Sequence, residues 1–334
     1  MDHNRLLTYA DAINEALHQA MRDSEDVFVF GQSVDSPSGI FHTTTGLVDE
    51  FGSERVFDTP VSESAMTGVG LGSALMGMRP VLVHQRLDFM IYSMDQIINW
   101  AALWRYKSAG KSGTPLTIRA VVGKGWGQGP QHSKSLQAWF AHIPGLRVAM
   151  PATAFDAKGL LMEAIFGEDP TIIIEGRPLF SQSDQVPEEP YRVPFGQCTV
   201  RREGQDATLV ALGYMVPIAL RAAEILADEG VDLEVIDPRT IVPLDDQSIV
   251  DSVRKTGHLI IADTAWKSFG VTAEIATRVS EKAFDYLKAP VLRVALPDSH
   301  TPTSSELEKA FYPDEHSVVA TVKKALSVQA STSA

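Results

Sequence analysis

The 334-residue chain carries a formal net charge of −13 and contains 44% apolar and 21% charged residues. This is the composition of an ordinary folded protein, long enough for two domains of ~100–200 residues each. An acidic chain lacks the basic face that nucleic acids and anionic membranes require, so both are excluded as main partners. The single Cys198 excludes an intramolecular disulfide framework. The N-terminus has no apolar core of signal-peptide length and no apolar run could span a membrane, so we expect a cytoplasmic protein.

The first half of the chain alternates between helical and strand patterns. Thr8 and Asp11 form an acidic capping box before a helix whose apolar residues recur at helical spacing. Strands and helices then follow in turn, which indicates a parallel, doubly wound α/β sheet. The predicted strands are Val27–Phe30, Val81–His84, Pro115–Val122, Leu146–Met150 and Thr171–Glu175, and the later helices are Met94–Tyr106 and Asp156–Phe166.

The stretch Asp58–Gly77 is the most unusual segment of this half. It carries one acid, Glu63, and continues as a glycine-rich run of small apolar residues, with Thr59 or Ser62 as candidate helix caps. Four glycines in one helix are costly, so we expect another backbone or a flat ligand to pack closely against it. A carboxyl group at the mouth of such a helix can hold or share a proton. The alternative is a solvated glutamate favoured by the helix dipole.

A second unusual segment is the glycine loop that starts at Gly123 and runs to His132. Glycine at every second position permits close approach of a ligand, and the loop follows a strand, where α/β folds bind ligands. The imidazole of His132 could shuttle a proton near neutral pH. The alternative is a surface loop with a solvated histidine. For the other histidines, including His84 and His258, a solvated or hydrogen-bonded side chain is expected.

A proline-rich stretch, Gly176–Phe195, interrupts the alternation, and we predict an interdomain linker over residues 181–195. Residues 1–180 form the predicted first domain, residues 196–327 a smaller α/β domain, and residues 328–334 a disordered tail. The predicted strands of the second domain are Ala207–Leu212, Val231–Ile236, Leu259–Asp263 and Val291–Val294, and its helical regions are Val216–Ala227, Asp246–Lys255, Gly270–Phe284 and Ser305–Ser327.

Nucleotide-binding fingerprints are absent from the sequence. A dinucleotide motif that starts at Gly68 would need glycine at Ser73, and one that starts at Gly70 would need glycine at Leu75. The segment also follows a turn rather than a strand, and no phosphate-binding P-loop motif occurs.

Several strings together resemble the β subunit of thiamine-diphosphate-dependent 2-oxoacid dehydrogenase E1 components, in the transketolase family. The resemblance extends from about Leu7 to Leu326. The strings are Asp58-Thr-Pro-Val-Ser-Glu63, Gly77-Met-Arg-Pro80, Asp88-Phe89, Met94-Asp-Gln-Ile97, Gln131-His-Ser133, His142-Ile-Pro-Gly145, Asp156-Ala-Lys-Gly-Leu160 and Val235-Ile-Asp-Pro-Arg-Thr240. The resemblance implies a transketolase-type pyrimidine-binding domain followed by a transketolase-type C-terminal domain.

The resemblance also implies roles for individual residues. Glu63 matches the glutamate that shares a proton with the N1′ nitrogen of the cofactor's aminopyrimidine, and so helps to activate the thiazolium carbon for decarboxylation. Phe89 matches the aromatic residue that stacks on the pyrimidine, and Tyr92 lies near that ring. His132 matches the histidine that faces the substrate.

The family holds the diphosphate and its Mg²⁺ through a Gly-Asp-Gly motif, and this motif is absent from the chain. The resemblance therefore implies that a separate α subunit holds the Mg²⁺ half of each site, in an α2β2 heterotetramer. The acyl group would pass to a lipoyl acyltransferase, the E2 subunit. In some relatives a loop that matches Ala164, Ile165 and Asp169 binds a structural K⁺.

The sequence departs from the family pattern at several places, among them Lys134, where glutamine is frequent. Gln32-Ser33 stands where acidic residues are common, which puts coupling between the two active sites in doubt. The run His84-Gln-Arg-Leu87 replaces the usual Glu-x-x-Phe pattern, and this leaves the identity of the 2-oxoacid open.

The leading hypothesis is an E1 β subunit that acts on pyruvate or a branched-chain 2-oxoacid. One alternative is a subunit of an acetoin dehydrogenase or of an acyloin-forming carboligase, which uses the same cofactor chemistry with another acceptor. A second alternative is a non-catalytic assembly subunit.

Overall fold

The structure is a computed structural model that describes residues 5–125 and 127–332. The chain divides into two compact units, one formed by Met1–Gly123 and Trp139–Phe195, the other by Lys124–Ala138 and Gly196–Ala334. The segment Lys124–Ala138 lies within the predicted first domain of residues 1–180, yet it groups with the second unit. The chain therefore passes between the units at 123–124 and 138–139 as well as at 195–196.

The first unit contains eight strands and the helices around them in the described part of the chain. The strands are β1 (Leu6–Thr8), β2 (Val27–Gly31), β3 (Val56–Asp58), β4 (Arg79–His84), β5 (Thr117–Val122), β6 (Arg147–Ala149), β7 (Thr171–Gly176) and β8 (Ser183–Gln185). The α-helices are α1 (Tyr9–Asp23), α2 (Leu47–Phe51), α3 (Glu63–Leu75), α4 (Leu87–Met90), α5 (Ala102–Lys107), α6 (Gln137–Ala141) and α7 (Ala154–Ile165). The first two residues of α6 group with the second unit.

The main sheet of this unit is parallel, with the strand order β6-β7-β5-β4-β2-β3. Its central strands are buried along their whole length, which explains their continuous apolar sequences. After β2 the chain places β3 on one side of β2 and β4 on the other. This reversal creates a topological switch point at the carboxyl ends of β2 and β4, the place where such sheets bind ligands.

The helix cap predicted at Thr8 is confirmed. The Thr8 hydroxyl accepts a hydrogen bond from the backbone N–H of Asp11, 3.1 Å away, and α1 begins at Tyr9. The segment Met94–Tyr106 is helical as predicted, but it is not a single α-helix. Asp95–Ala101 is π-helical, and the α-helix covers Ala102–Lys107. The predicted linker 181–195 contains the short strand β8, which pairs antiparallel with β1.

The second unit has a smaller sheet with the order β14-β13-β10-β11-β9, in which only the edge strand β9 runs antiparallel. Its strands are β9 (Thr199–Arg202), β10 (Ala207–Ala211), β11 (Leu233–Asp237), β12 (Thr240–Val242), β13 (Leu259–Trp266) and β14 (Leu292–Leu296). Its helices are α8 (Met215–Asp228), α9 (Asp246–Thr256), α10 (Val271–Ala283), α11 (Ser305–Phe311) and α12 (Glu315–Thr332).

The expectation of two doubly wound α/β domains is confirmed by these sheets. The predicted single helical region 305–327 is wrong in detail, because a break at Tyr312–Asp314 separates α11 from α12. Helix α12 continues through Thr332, and the last two residues of the predicted tail 328–334 lie outside the described residues. In the described ranges, no helix combines the length and the apolar character needed to cross a lipid bilayer.

Candidate active site

The switch point of the first unit brings Gln32 and Glu63 together. Gln32 directly follows β2, while Glu63 begins α3 shortly after β3, the strand that pairs with β2. The turn between β3 and α3 is fixed to the end of β2, because the backbone N–H and the hydroxyl of Thr59 both donate to the carbonyl oxygen of Gly31. Parallel strands carry their carboxyl ends to one edge, so residues 31 positions apart meet there.

The carboxyl group of Glu63 is oriented by a neutral donor. The side-chain amide of Gln32 donates to Oε1 of Glu63 over 3.1 Å in a buried contact. The backbone carbonyl of Glu63 accepts a hydrogen bond from the Ser93 hydroxyl at 2.8 Å, which ties the first turn of α3 to the segment that carries Tyr92. With 9% of its surface exposed, Glu63 is withdrawn from water but is not sealed off.

Helix α3 packs against the sheet through only one of its glycines. A Cβ atom on Gly70 would lie 3.0 Å from Leu116 Cδ1 and 3.1 Å from Phe30 Cζ, so a larger residue here would push these two side chains aside. A Cβ on Gly72 would meet nothing within 4 Å, and one on Gly68 would reach only Gln96 at 4.0 Å. Close packing of this helix is therefore seen at Gly70, whereas the space beside Gly68 and Gly72 is open, and the flat ligand expected against the helix stays a prediction.

The hydrogen bonds predicted to cap α3 are not seen in the structure. Ser62 occupies the position before the helix but makes no side-chain capping hydrogen bond. The hydroxyl of Thr59 is used instead to hold the end of β2.

The two aromatic residues assigned to the pyrimidine lie in the same unit as Glu63. Phe89 is half-buried in α4, and Tyr92 is 71% exposed in the turn Ile91–Ser93 that follows. Ser93, next to Tyr92, links this turn to α3 through its bond to Glu63 and a 2.8 Å bond from the Thr67 hydroxyl. The structure therefore groups Glu63 and Tyr92 on neighbouring segments, and their assigned roles stay predictions.

His132 belongs to the second unit, in the segment Lys124–Ala138. It is half-buried directly after a short 3₁₀ turn, Gly129–Gln131. Within the glycine loop, Trp126 lies outside the described residues, while the backbones of Gly127 and Gly129 pass close to Thr303. At these two glycines the close neighbour is a segment of the same unit, and the approach of a ligand to the loop stays a prediction.

His84 is a residue whose environment the sequence did not reveal. It ends β4 at the switch point and is fully buried, and neither ring nitrogen has a hydrogen-bond partner among the described residues. Burial lowers the pKa of His84 to about 4, so the imidazole is neutral at physiological pH. The expectation of a solvated or hydrogen-bonded histidine is wrong here. Its only sequence signal was the departure of the run 84–87 from the family pattern.

The residues assigned to a K⁺ site already have cationic neighbours. The carbonyl oxygen of Ile165 accepts a hydrogen bond from the Arg79 guanidinium at 3.1 Å, and the same nitrogen reaches Gly167 O at 2.9 Å. The carboxylate of Asp169 accepts from Arg105 Nε at 2.5 Å. These guanidinium groups compete with a K⁺ ion for the same oxygens. The K⁺ site stays a prediction that these contacts oppose.

An aminopyrimidine, by contrast, fits the residues at the switch point. Glu63 offers a partly accessible carboxyl group whose described side-chain partner is an amide, so the carboxyl can still share a proton with a ring nitrogen. Divalent metals find no comparable site, since no group of three His, Cys, Asp or Glu side chains in residues 5–125 and 127–332 could hold one.

Two family models match the chain. Residues 5–182 match the transketolase pyrimidine-binding domain, and residues 196–318 match the transketolase C-terminal domain. A solved structure described as a split-gene transketolase, an inactive beta4 tetramer, superposes with a TM-score of 0.76 at 26% identity, covering 97% of this chain and 99% of that one.

Curated relatives resemble the chain over nearly its whole length. The pyruvate dehydrogenase E1 component subunit beta of Rhizobium meliloti is 42% identical over 95% of this chain and 69% of that protein. Its counterpart in Bacillus subtilis is 40% identical over 96% and 98%. The acetoin:2,6-dichlorophenolindophenol oxidoreductase subunit beta of Bacillus subtilis is 39% identical over 94% and 96%. The chain therefore belongs to the transketolase-type family that includes the β subunits of pyruvate dehydrogenase E1 and of acetoin oxidoreductases.

Proposed function

We propose that this protein is the β subunit of a thiamine-diphosphate-dependent 2-oxoacid dehydrogenase E1 component. The observation that carries this proposal is the Gln32–Glu63 pair at the switch point of a matched pyrimidine-binding domain. The bound cofactor would supply the electron-accepting centre for decarboxylation of the 2-oxoacid.

The residues of this chain prepare that chemistry. Glu63 holds a proton at the aminopyrimidine nitrogen, and Gln32 keeps the carboxyl group in place for it. Phe89 and Tyr92 contact the pyrimidine ring. His132 moves a proton at the substrate, a role that suits an imidazole near neutral pH.

An α subunit completes the site in this proposal. The chain has no Gly-Asp-Gly motif to bind Mg²⁺ and diphosphate, so the partner supplies both contacts in an α2β2 assembly. Several large apolar side chains of the first unit are exposed, and the α subunit would cover some of them in this proposal. They include Val69, Met76, Tyr92 and Tyr106, of which Met76 and Tyr106 are the most exposed.

The acceptor separates the leading function from its alternatives. An E1 component passes the acyl group to the lipoyl group of an E2 acyltransferase, whereas an acetoin dehydrogenase or carboligase uses other substrates or acceptors. The 39% identity to the acetoin oxidoreductase subunit supports the acetoin dehydrogenase alternative. The cytoplasmic localisation stays a prediction.

The test is co-expression with the neighbouring α-subunit gene, followed by assays of pyruvate, branched-chain 2-oxoacids and acetoin with thiamine diphosphate and Mg²⁺. Reduction of lipoamide by a 2-oxoacid is expected. Acyloin formation without acyl transfer would favour the carboligase. Tight cofactor binding and decarboxylation by this chain alone would contradict the two-subunit proposal.

The variant Glu63→Gln tests the catalytic role. We expect kcat to fall at least ~100-fold, the contribution of a positioned acid–base group. The matched control is Glu274→Gln, which changes an exposed glutamate paired with Arg278 at 2.8 Å on the surface of α10. Full activity of Glu63→Gln would instead support the non-catalytic assembly subunit.

A further inference from the structure

The segment Lys124–Ala138 is attached to the second unit at both of its ends. At its start, the Lys124 ammonium lies 5.2 Å from the ring centre of Tyr312 and 5.9 Å from that of Tyr214. The backbone N–H of Gly125 donates to Glu308 Oε1 at 3.3 Å. The contacting residues lie in or next to α11 and at the start of α8. They hold only the first residues of the segment, and its other end is held by a different contact.

That second anchor is fully buried. The amide nitrogen of Gln137 donates to both carboxylate oxygens of Asp263, at 2.8 Å and 3.0 Å. Asp263 lies in β13 just past the last residue of β13 that pairs with β10, and backbone N–H groups of Thr264 and Ala265 also donate to its carboxylate. The sequence separation is 126 residues, so the contact exists only in the folded second unit.

The chain between this anchor and His132 is packed. Ser133, Ser135 and Leu136 are all buried. The hydroxyls of Ser133 and Ser135 have no hydrogen-bond partner among the described residues, so they do not tie the segment to a neighbour. A shift at Gln137 would therefore pass along the four residues 133–136, three of which are buried, to His132.

We propose that Gln137 and Asp263 are positioning residues that set the place of His132 through this hydrogen-bonded anchor. The inference rests on the proposed function, because it assigns His132 to the reaction. The C-terminal unit then contributes to catalysis by holding the segment that carries His132. A displacement of about 1 Å in a reacting group can lower a rate by up to ~100-fold, so a loosened anchor should reduce turnover without removing it.

The first experiment replaces Gln137 by methionine, a residue of similar size that cannot donate. In the α/β complex with thiamine diphosphate and Mg²⁺, Gln137→Met should lower kcat about tenfold and leave the KM for thiamine diphosphate unchanged. The control is Gln247→Met, which removes an exposed Gln–Asp pair on α9 that has a similar hydrogen bond of 2.9 Å to Asp251. Equal kcat values for the two variants would overturn the proposal.

A conservative variant separates geometry from charge. In Asp263→Asn the amide of Gln137 can turn over, so that its oxygen accepts from Asn and the anchor is kept. We expect a loss of no more than about threefold. A loss as large as that of Gln137→Met would overturn the positioning role, because the intact hydrogen bond would then not have preserved the rate.

Two further measurements distinguish positioning from general destabilisation. In the background of His132→Ala, the Gln137→Met change should lower kcat by less than twofold, because the positioned group is already gone. The same tenfold loss in both backgrounds would contradict the proposal. Hydrogen exchange of the purified complex should rise in residues 127–136 of Gln137→Met and stay constant in α9, and unchanged exchange in 127–136 would also contradict it. This readout does not need turnover, so it stays informative if the wild-type complex acts on none of the 2-oxoacids and only the proposed function fails.

Discussion

Each unit contains an acid whose carboxylate accepts a hydrogen bond from a glutamine amide. In the first unit Gln32 donates to Glu63, and in the second Gln137 donates to Asp263. The two pairs differ in exposure. Glu63 begins a helix and keeps 9% of its surface accessible, whereas Asp263 lies within a strand and is fully buried.

This difference determines what each acid can do. A carboxyl group that retains some access can share its proton with a ligand, so the Gln32–Glu63 pair is suited to catalysis. A sealed carboxyl group reaches only its protein neighbours, so the Gln137–Asp263 pair is suited to holding a segment in place. A glutamine amide on a carboxylate is therefore proposed to serve two different functions, according to how deeply the fold covers the acid.

A third buried acid sharpens the comparison because its partner is charged. Arg119 and Glu175 pair through contacts of 2.6 Å and 3.0 Å between β5 and β7, with both side chains 1% exposed. Arg119→Met would leave the Glu175 charge buried and unpaired, so we expect the free energy of unfolding to fall by about 3–5 kcal/mol. Urea unfolding measures this change. The double variant Arg119→Met/Glu175→Leu should be less destabilised, and equal losses would show that the unpaired charge is not the cause.

The second prediction concerns pH and Asp263. Burial raises the pKa of Asp263 from its ordinary value of 3.8 to about 6, although the hydrogen bonds from Gln137 and two backbone amides oppose the rise. The folded protein then binds this proton more tightly than the unfolded chain. The resulting stabilisation is fully present below pH ~4 and is lost as the pH rises through about 6, a change of about 3 kcal/mol.

Comparison with Asp263→Asn isolates this effect from the other titrating groups. Relative to the variant, the wild type should lose up to about 3 kcal/mol of unfolding free energy between pH 4 and pH 7. Urea unfolding at several pH values measures the difference. A constant difference across this range would show that Asp263 does not titrate as its burial implies.

The smallest expected effect belongs to Gln32. Gln32→Met removes a hydrogen bond to a carboxylate, worth about 1.5–3 kcal/mol, so kcat/KM of the α/β complex should fall by about 10- to 100-fold. The control is Gln85→Met, because the amide of this exposed glutamine donates to the Ser33 hydroxyl and not to Glu63. If Gln32→Met kept the wild-type kcat/KM, the proposed role of Gln32 in orienting Glu63 would be wrong.

The sequence by itself determined the α/β class and the two domains of transketolase type, and it singled out Glu63 as a predicted catalytic residue. The alternation of apolar strands and amphipathic helices is a local pattern, and family motifs such as Asp58–Glu63 are continuous strings. The same locality explains the wrong details. The break between α11 and α12, the π-helical segment Asp95–Ala101 and the environment of His84 all depend on packing partners elsewhere in the chain.

Only the tertiary structure decided which donors meet the acids. Gln32 stood out in the sequence only as a replacement for common acidic residues, and nothing in it pointed to Glu63, 31 positions away. Gln137 carried no signal at all, and its partner lies 126 positions away. The first pair forms because neighbouring parallel strands carry their ends to one edge of a sheet. The second forms because the start of α6 packs against β13. Neither meeting has a local pattern in the sequence.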